Sequence, residues 1–252
     1  MLDPTKRFSG RVENYARYRP GYPGEIIGFL SGRCGLAKQS IIADIGSGTG
    51  KLSELFLKNG NPLFGVEPNR EMREAGERLL GHYPHFTSIT GTAEATTLAA
   101  GAVDFIVAGQ AFHWFNHERC RAEFLRVLKP GGWVVIVANR RRKDARPFAA
   151  AYEKLTDEFS TDGEQAPRRR IERVAIEQFF PVPAGFEIFY HAQEFDFEGL
   201  KGRLLSSSYA PDAGQPGHEE MLAALRRIFE ACQENGRVIF EYETQVYYGR
   251  LI

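Results

Sequence analysis

The chain has 252 residues, of which 43% are hydrophobic and 25% are charged, as in an ordinary folded domain. Its 32 basic residues balance its 32 acidic residues, so no overall positive field favours nucleic acid. The 3 cysteines lie far apart, and neither they nor the histidines are spaced like a disulfide framework or a metal site. No secretory or membrane-spanning segment is evident, so we expect one cytoplasmic domain without membrane attachment.

The predicted elements begin with an arm, residues 1–35, which is basic and aromatic and contains a Pro-Gly-Tyr-Pro turn. After it, compact apolar runs alternate with stretches that have helical periodicity. Strands are predicted at 41–45, 62–66, 86–89, 103–107 and 133–137, and helices at 25–30, 52–58, 70–80 and 118–128. This alternation predicts a doubly wound α/β fold with a mostly parallel sheet.

Beyond residue 139 the chain is more highly charged, and it contains no strong strand before residue 183. Two later strands are predicted to close the sheet and bring it to seven strands. The segment between them is too long for a hairpin loop, and we expect it to be a helical lid. The predicted parts are a core at 36–139, cap segments at 140–185 and 200–236, and closing segments at 186–199 and 237–252. Within the two cap segments we predict helices at 147–159 and 219–232. Within the two closing segments we predict the strands 186–197 and 238–248.

Residues 44–50 read Asp-Ile-Gly-Ser-Gly-Thr-Gly and lie between the first predicted strand and a helix. Glycines at such a turn permit positive φ and let a ligand approach the N–H groups of the helix N-terminus. A dinucleotide fingerprint would need a third glycine where this chain has Lys51, and the pattern of a P-loop is also missing. The loop therefore indicates a ligand site and disfavours NAD.

A carboxylate, Glu67, ends the second predicted strand just before Pro68. At the carboxyl end of a strand, it can accept hydrogen bonds from both hydroxyls of a ribose in the neighbouring crevice. Together with the glycine loop, Glu67 indicates a ligand that contains adenosine.

Four segments in this order, 44–50, 67–68, 91–94 and 128–132, resemble successive motifs of class I S-adenosylmethionine-dependent methyltransferases. The resemblance implies that the glycine loop holds the methionine part of S-adenosylmethionine, that Glu67 binds its ribose, and that Ala93 and Glu94 flank its adenine. Segment 128–132 is then a turn with no catalytic role. The full set of implied cofactor-binding residues is Asp44, Gly46, Ser47, Gly48, Gly50, Glu67, Pro68, Ala93, Glu94, Gln110 and Ala111.

Segments 18–23, 206–209 and 242–247 are similar to small-molecule methyltransferases of the type that includes trans-aconitate methyltransferase. Residues 109–115 follow the fourth strand, where members of the wider family line the cleft between donor and acceptor. His113 is a candidate proton acceptor, and a packed structural histidine is the alternative. The candidate substrate-binding residues are Tyr15, Tyr18, Arg19, Tyr22, Phe112, Trp114 and Tyr209.

In the arm, Arg19 can pair with a carboxylate of the cofactor or of an acidic substrate, whereas simple packing of the arm on the sheet is the alternative. The basic runs 140–143 and 168–170 are interpreted as solvated surface because acids flank both. We also expect the arm and the insert to close over the cleft.

The resulting hypothesis is in-line methyl transfer from S-adenosylmethionine to an oxygen, nitrogen or carboxylate of a small molecule, with S-adenosylhomocysteine as the product. The alternatives are an RNA or protein methyltransferase, a non-catalytic module that binds an adenosyl ligand, and an NAD-dependent oxidoreductase. The sequence specifies neither the acceptor nor the oligomeric state.

Overall fold

A computed structural model describes residues 11–143, 146–161 and 173–252; the basic run at 168–170 lies outside these ranges. The strands are β1 (Ile42–Ile45), β2 (Leu63–Val66), β3 (Phe86–Ile89), β4 (Val103–Gly109), β5 (Leu128–Arg141), β6 (Gly185–Phe195) and β7 (Val238–Gly249). They form one 7-stranded sheet in the order β3-β2-β1-β4-β5-β7-β6. Strands β1 to β5 run parallel, and β7 lies antiparallel between β5 and β6. The predicted doubly wound, mostly parallel sheet is confirmed.

The helices in the described ranges are α1 (Val12–Tyr18), α2 (Glu25–Cys34), α3 (Lys51–Asn59), α4 (Arg70–Leu80), α5 (His117–Val127), α6 (Pro147–Glu158), α7 (Arg173–Phe179), α8 (Phe197–Leu205) and α9 (His218–Cys232). Helices α1 and α7 were not predicted. The strand predicted to reach residue 197 ends at Phe195, because the Asp196 carboxylate accepts a hydrogen bond from the Gly199 N–H and caps α8. Two helices do lie between β6 and β7, and their action as a lid stays a prediction.

The sheet is covered on both faces, which explains why its central strands are apolar along their whole length. Along β5, Val134 and Ile136 face the layer that contains α5, whereas Val135 and Val137 face the layer that contains α2 and α3. The turn predicted at 128–132 lies inside β5, where the pairing with β4 shifts register after Leu128.

A further apolar cluster lies beyond the carboxyl ends of the parallel strands and joins α6, α8 and α9 to the beginning of β7. Helix α1 packs on α8, and a Cβ placed on Gly202 would lie only 2.1 Å from Cε2 of Tyr18. The Arg11 guanidinium donates to the carbonyl oxygens of Ser207 and Ala210, and it pairs with Asp212. The arm is thereby attached to the segment inserted between β6 and β7.

Helix α1 also approaches α4, so the arm extends from the insert toward the helix that follows β2.

Every helix in the parts of the chain that the structure describes is too short or too polar to cross a bilayer.

The packing of Tyr18 on Gly202 predicts that Gly202→Ala loosens the arm. The added methyl group would displace the Tyr18 ring, so we expect faster amide hydrogen exchange in residues 12–18. The free energy of unfolding should fall by about 1–3 kcal/mol, as in other overpacked sites.

The matched control is Gly28→Ala, because a Cβ at this position in α2 has nothing within 4 Å. That variant should gain about 0.5–1 kcal/mol of stability from helix propensity and leave exchange in the arm unchanged. Equal exchange of residues 12–18 in both variants would show that this contact does not hold the arm.

Candidate functional site

The loops that follow β1 and β4 meet at the carboxyl ends of these two neighbouring strands. In an open α/β sheet, ligands bind at this edge, where the strand order changes direction. A Cβ placed on Gly46 would lie 2.7 Å from Cβ of Ala111, so the two loop backbones are in close contact. This contact forms the floor of a crevice.

The three glycines of the loop have left-handed backbone conformations, with φ of 70° at Gly46, 56° at Gly48 and 85° at Gly50. Gly50 also has a packing requirement, because a Cβ there would lie 2.3 Å from Cδ1 of Leu80. At Gly48 a Cβ would meet nothing within 4 Å. The space above Gly48, beside the start of α3, is therefore open to a ligand.

Asp44 lies under the glycine loop, and its side chain is buried. The Ser53 hydroxyl donates to Oδ2 of Asp44 at 2.6 Å, while Oδ1 has no hydrogen-bond partner. Burial raises the pKa of Asp44 to about 7. Because a buried acceptor without a donor is costly, Oδ1 fits a ligand that brings a donor, and a cationic one most of all.

Glu67 is also buried, and its carboxylate organises two loops. Its Oε2 accepts from the Gly48 N–H and its Oε1 from the Asn69 N–H, both at 2.8 Å. Burial raises the pKa of Glu67, and these two backbone hydrogen bonds oppose that shift. Each carboxylate oxygen can accept one more hydrogen bond, so Glu67 can bind ribose hydroxyls while it holds the glycine loop.

The remaining predicted cofactor residues surround this crevice. Ala93 is buried, and Glu94 Oε1 accepts from the Asn116 N–H at 2.8 Å, which joins the loop after β3 to the loop after β4. Pro68 is half-buried directly after Glu67, and the Ser47 N–H donates to the carbonyl of Val66.

The residue that follows β4 is strained, since Gln110 has a φ of 56° without being a glycine. Its side-chain amide donates to the carbonyl oxygen of Asn139 at 2.6 Å, and its N–H donates to that of Val137. Such strain persists only where the surroundings hold it, and it is frequent at functional sites. The end of β4 is thereby fixed against the end of β5.

His113 and Trp114 lie half-buried in a 3₁₀ turn (Phe112–Trp114) with ring centroids 4.8 Å apart. The prediction that Phe112 contacts substrate is wrong, because its side chain is 1% exposed. The Phe112 ring stacks on His117 at 4.3 Å and packs edge-on to Phe179 at 5.1 Å. Phe112 therefore supports the turn from the core.

The arm brings two of the predicted residues to the crevice. A Cβ on Gly109 would lie 2.5 Å from the hydroxyl of Tyr22, so Tyr22 covers the end of β4. Burial, together with Tyr15 and Asp44, raises the pKa of Tyr22 well above its usual value. Tyr15 in turn lies under Arg19, whose guanidinium carbon is 5.2 Å from the ring centroid. Tyr18, by contrast, belongs to the packing between α1 and α8.

Two arginines that sequence reasoning did not select lie at the other end of this chain of contacts. Arg203 is 4% exposed, and the Arg141 guanidinium lies over the rings of Tyr152 at 4.9 Å and Phe240 at 5.5 Å. The interpretation of run 140–143 as solvated surface is wrong for Arg141, whose side chain is 17% exposed. In sequence, Arg141 continues the period-two pattern of Val137 and Asn139, which was the available signal.

In the described ranges, no group of three or more His, Cys, Asp or Glu side chains is arranged to hold a metal ion. On one side, the site consists of buried carboxylates and the accessible backbone of the glycine loop. On the other side, it consists of tyrosines and arginines.

Comparison with known proteins identifies the central part of the chain. A family described as "Methyltransferase domain" matches residues 43–136, the segment that contains β1, the glycine loop and Glu67. This segment is therefore similar to methyltransferase domains along its whole length. A Mycobacterium bovis protein named as an uncharacterized methyltransferase is 35% identical over 139 residues, which cover 55% of this chain and 54% of that protein.

Another relative, also named as an uncharacterized methyltransferase, comes from Schizosaccharomyces pombe and is 27% identical over 250 residues, or 96% of each chain. A solved structure from Anaeromyxobacter dehalogenans, named as a type II methyltransferase, matches 93% of this chain and 99% of its own with a TM-score of 0.67 at 23% identity. That likeness shows the methyltransferase fold. The matched segment spans about half the length of the Mycobacterium relative.

The residues of this segment fit S-adenosylmethionine. The unpartnered Oδ1 of Asp44 suits the ammonium group of a methionine moiety, and the open space above Gly48 suits close approach of a ligand to the backbone. The remaining acceptor capacity of Glu67 suits a ribose.

The open space at Gly48 predicts that Gly48→Ala weakens binding of S-adenosylhomocysteine at least about tenfold, because a methyl group would enter the ligand's space. Calorimetric titration measures the effect. The matched control is Gly60→Ala at the far end of α3, where φ is also positive, at 95°, and a Cβ also meets nothing within 4 Å. Both variants impose the same kind of backbone strain. Equal affinities of the two variants for S-adenosylhomocysteine would therefore show that the ligand does not lie against Gly48.

Proposed function

We propose that this chain transfers a methyl group from S-adenosylmethionine to a small-molecule acceptor. The observation that carries the proposal is the arrangement, at one sheet edge, of a glycine loop and a buried carboxylate oxygen that has no hydrogen-bond partner among the described residues. The arm is hydrogen-bonded both to the insert and to the neighbouring strand β5. A site covered in this way suits a small molecule better than a folded RNA or protein surface.

On the donor side, Asp44, Gly48 and Glu67 are the residues that would hold the cofactor, and Ala93 and Glu94 would flank its adenine. When bound, S-adenosylmethionine supplies a methyl carbon that its sulfonium makes electrophilic. The protein's task is then to align the acceptor with that carbon and to exclude water. The loops are rigid enough for this role, because Glu67 and Gln110 each tie them to neighbouring backbone.

On the acceptor side, the arm encloses the space above the ends of β4 and β5. The Arg19 guanidinium donates to the carbonyl oxygen of Ser206 at 2.9 Å and to the Ser207 hydroxyl at 3.3 Å, and the Asn139 amide donates to the carbonyl of Gly21 at 2.9 Å. These hydrogen bonds connect the arm to both the insert and the sheet. We infer that the arm and the insert act together as a cap that opens for exchange of ligands.

The alternatives are less well supported by the same observations. An RNA methyltransferase needs an exposed basic surface, whereas Arg203 and Arg141 lie inside the cap. An NAD-dependent oxidoreductase needs a glycine where this chain has Lys51. A non-catalytic adenosyl-binding module would share the donor side, and only a transfer assay separates it from an enzyme.

The test is incubation of the protein with a metabolite extract and S-adenosylmethionine that carries an isotopically labelled methyl group. We expect a small molecule in the extract to gain the label, and Gly48→Ala to reduce the yield because the donor binds less well. Gly202→Ala should retain donor affinity and slow the transfer, since it loosens the arm.

Mass spectrometry of the small-molecule, RNA and protein fractions reads the outcome. Label found only in RNA or protein would refute the small-molecule acceptor. Normal binding of S-adenosylhomocysteine with no labelled product in any fraction would support the non-catalytic module instead.

A further inference from the structure

Three arginines from separate parts of the chain converge inside the cap. Arg19 follows α1 in the arm, Arg141 ends β5, and Arg203 lies in α8. Each is electrostatically coupled to Tyr152 of α6 and to Tyr209 of the insert. We call this group, Arg19, Arg141 and Arg203, the arginine cluster.

The cluster contains buried polar atoms without partners. Arg203 is 4% exposed and Tyr152 is fully buried. Four polar atoms find no hydrogen-bond partner in the part of the chain that the structure describes: Nε of Arg19, Nε of Arg203, Nη1 of Arg141 and the hydroxyl of Tyr152. Leaving the donors of charged groups buried and without a hydrogen bond is strongly unfavourable. Acceptor atoms of a bound ligand would satisfy these donors.

The positive charge of the cluster is only partly compensated by the protein. Glu153 pairs with Arg141 at 3.0 Å and shares its other oxygen with the half-exposed Lys143. Among the described residues, Arg19 donates only to a carbonyl and a hydroxyl, and Arg203 reaches only the Ser206 hydroxyl, at 3.5 Å. With Glu153 offsetting one of the three guanidinium charges, two positive charges remain.

The tyrosines do not neutralise these charges. Burial raises the pKa of Tyr209, but Arg141, Arg19 and Arg203 lower it, and the result is about 8. At pH 7 only about a tenth of such a phenol is ionised. Burial lowers the pKa of Arg19 to about 10, and the neighbouring Arg203 contributes to this shift, yet Arg19 stays charged at neutral pH.

The cluster lies next to the crevice at the glycine loop. Asn139, two positions before Arg141 on β5, accepts at its carbonyl from the side-chain amide of Gln110, which follows β4. In the arm, Tyr22 lies near enough to Asp44 and Tyr15 for both to raise its pKa, and the Arg19 guanidinium lies over the Tyr15 ring. A molecule between the two would therefore have the donor site at one end and the guanidiniums at the other.

We propose that the arginine cluster binds the acceptor, which is a small molecule bearing at least two oxyanion groups such as carboxylates or phosphates. That this molecule is the methyl acceptor rests on the proposed function, whereas the anion site itself rests on the arginine cluster. Guanidinium forks match carboxylate and phosphate geometry, and a dianion supplies the charge and the hydrogen-bond acceptors that the buried donors require.

The test is calorimetric titration of the protein saturated with S-adenosylhomocysteine. The probes are propane-1,2,3-tricarboxylate, its neutral triamide, and 3-phosphoglycerate for the phosphate arm. We expect at least one of the two anionic probes to bind at least about tenfold more tightly than the triamide. The stronger of the two anionic probes distinguishes a carboxylate acceptor from a phosphate acceptor.

Variants locate the site. Arg203→Met and Arg19→Met should each weaken the anionic probe about 10- to 100-fold while S-adenosylhomocysteine binds normally. Arg19→Met is the safeguard if the buried Arg203 variant does not fold, since Arg19 is only half-buried. Arg17→Met, on the exposed face of the same arm, is the matched control and should bind like the unaltered protein.

Equal binding of the triamide and the anions, or no anion binding by protein that binds S-adenosylhomocysteine, would overturn the proposal. Equal anion affinity in the Arg19, Arg203 and Arg17 variants would overturn it as well. Anion binding that depends on the cluster, found in a protein that methylates nothing, would refute the proposed function and leave the anion site standing.

Discussion

The close approach of the loops after β1 and β4 is the constraint on which the rest of the site depends. Gly46 lies so near Ala111 that no side chain fits between them, and this contact exists only because two neighbouring parallel strands end side by side. Glu67 fixes the first loop and the Asn139 carbonyl fixes the end of β4. The crevice is therefore preformed by backbone contacts, which leaves its side chains available for ligands.

Above this floor the charges are segregated. Buried carboxylates, Asp44 and Glu67, lie below and beside the glycine loop, whereas the arginine cluster lies under the cap. Opposite charges held apart in a protein interior are poorly screened, so each side selects a ligand of the opposite sign. A cationic donor group and an anionic acceptor would thus be oriented toward each other before any chemistry occurs.

The sequence predicted β1 to β4 to within two residues at each end, because each is a short apolar run followed by a turn, and it located Glu67 at the end of the second strand. Strand β5 extends well beyond the predicted 133–137 at both ends. Of the arginine cluster it selected Arg19 but neither Arg141 nor Arg203. Arg203 lies between the buried Leu200 and Leu204 on one face of α8, and Arg141 depends on β5 continuing past its apolar part. Local patterns mark such residues as surface, since only tertiary packing from distant segments buries them. The opposite error concerns Phe112. It was predicted to contact substrate because it is an aromatic residue near the site, whereas it packs in the core.

The most direct test is a crystal structure of the complex with S-adenosylhomocysteine. The account predicts the ligand's amino group beside Oδ1 of Asp44, its ribose hydroxyls on Glu67, and its sulfur facing the side of the crevice that leads past Tyr22 to Arg19, Arg141 and Arg203. A ligand seated elsewhere, or a sulfur turned away from the arginine cluster with the core fold intact, would contradict it.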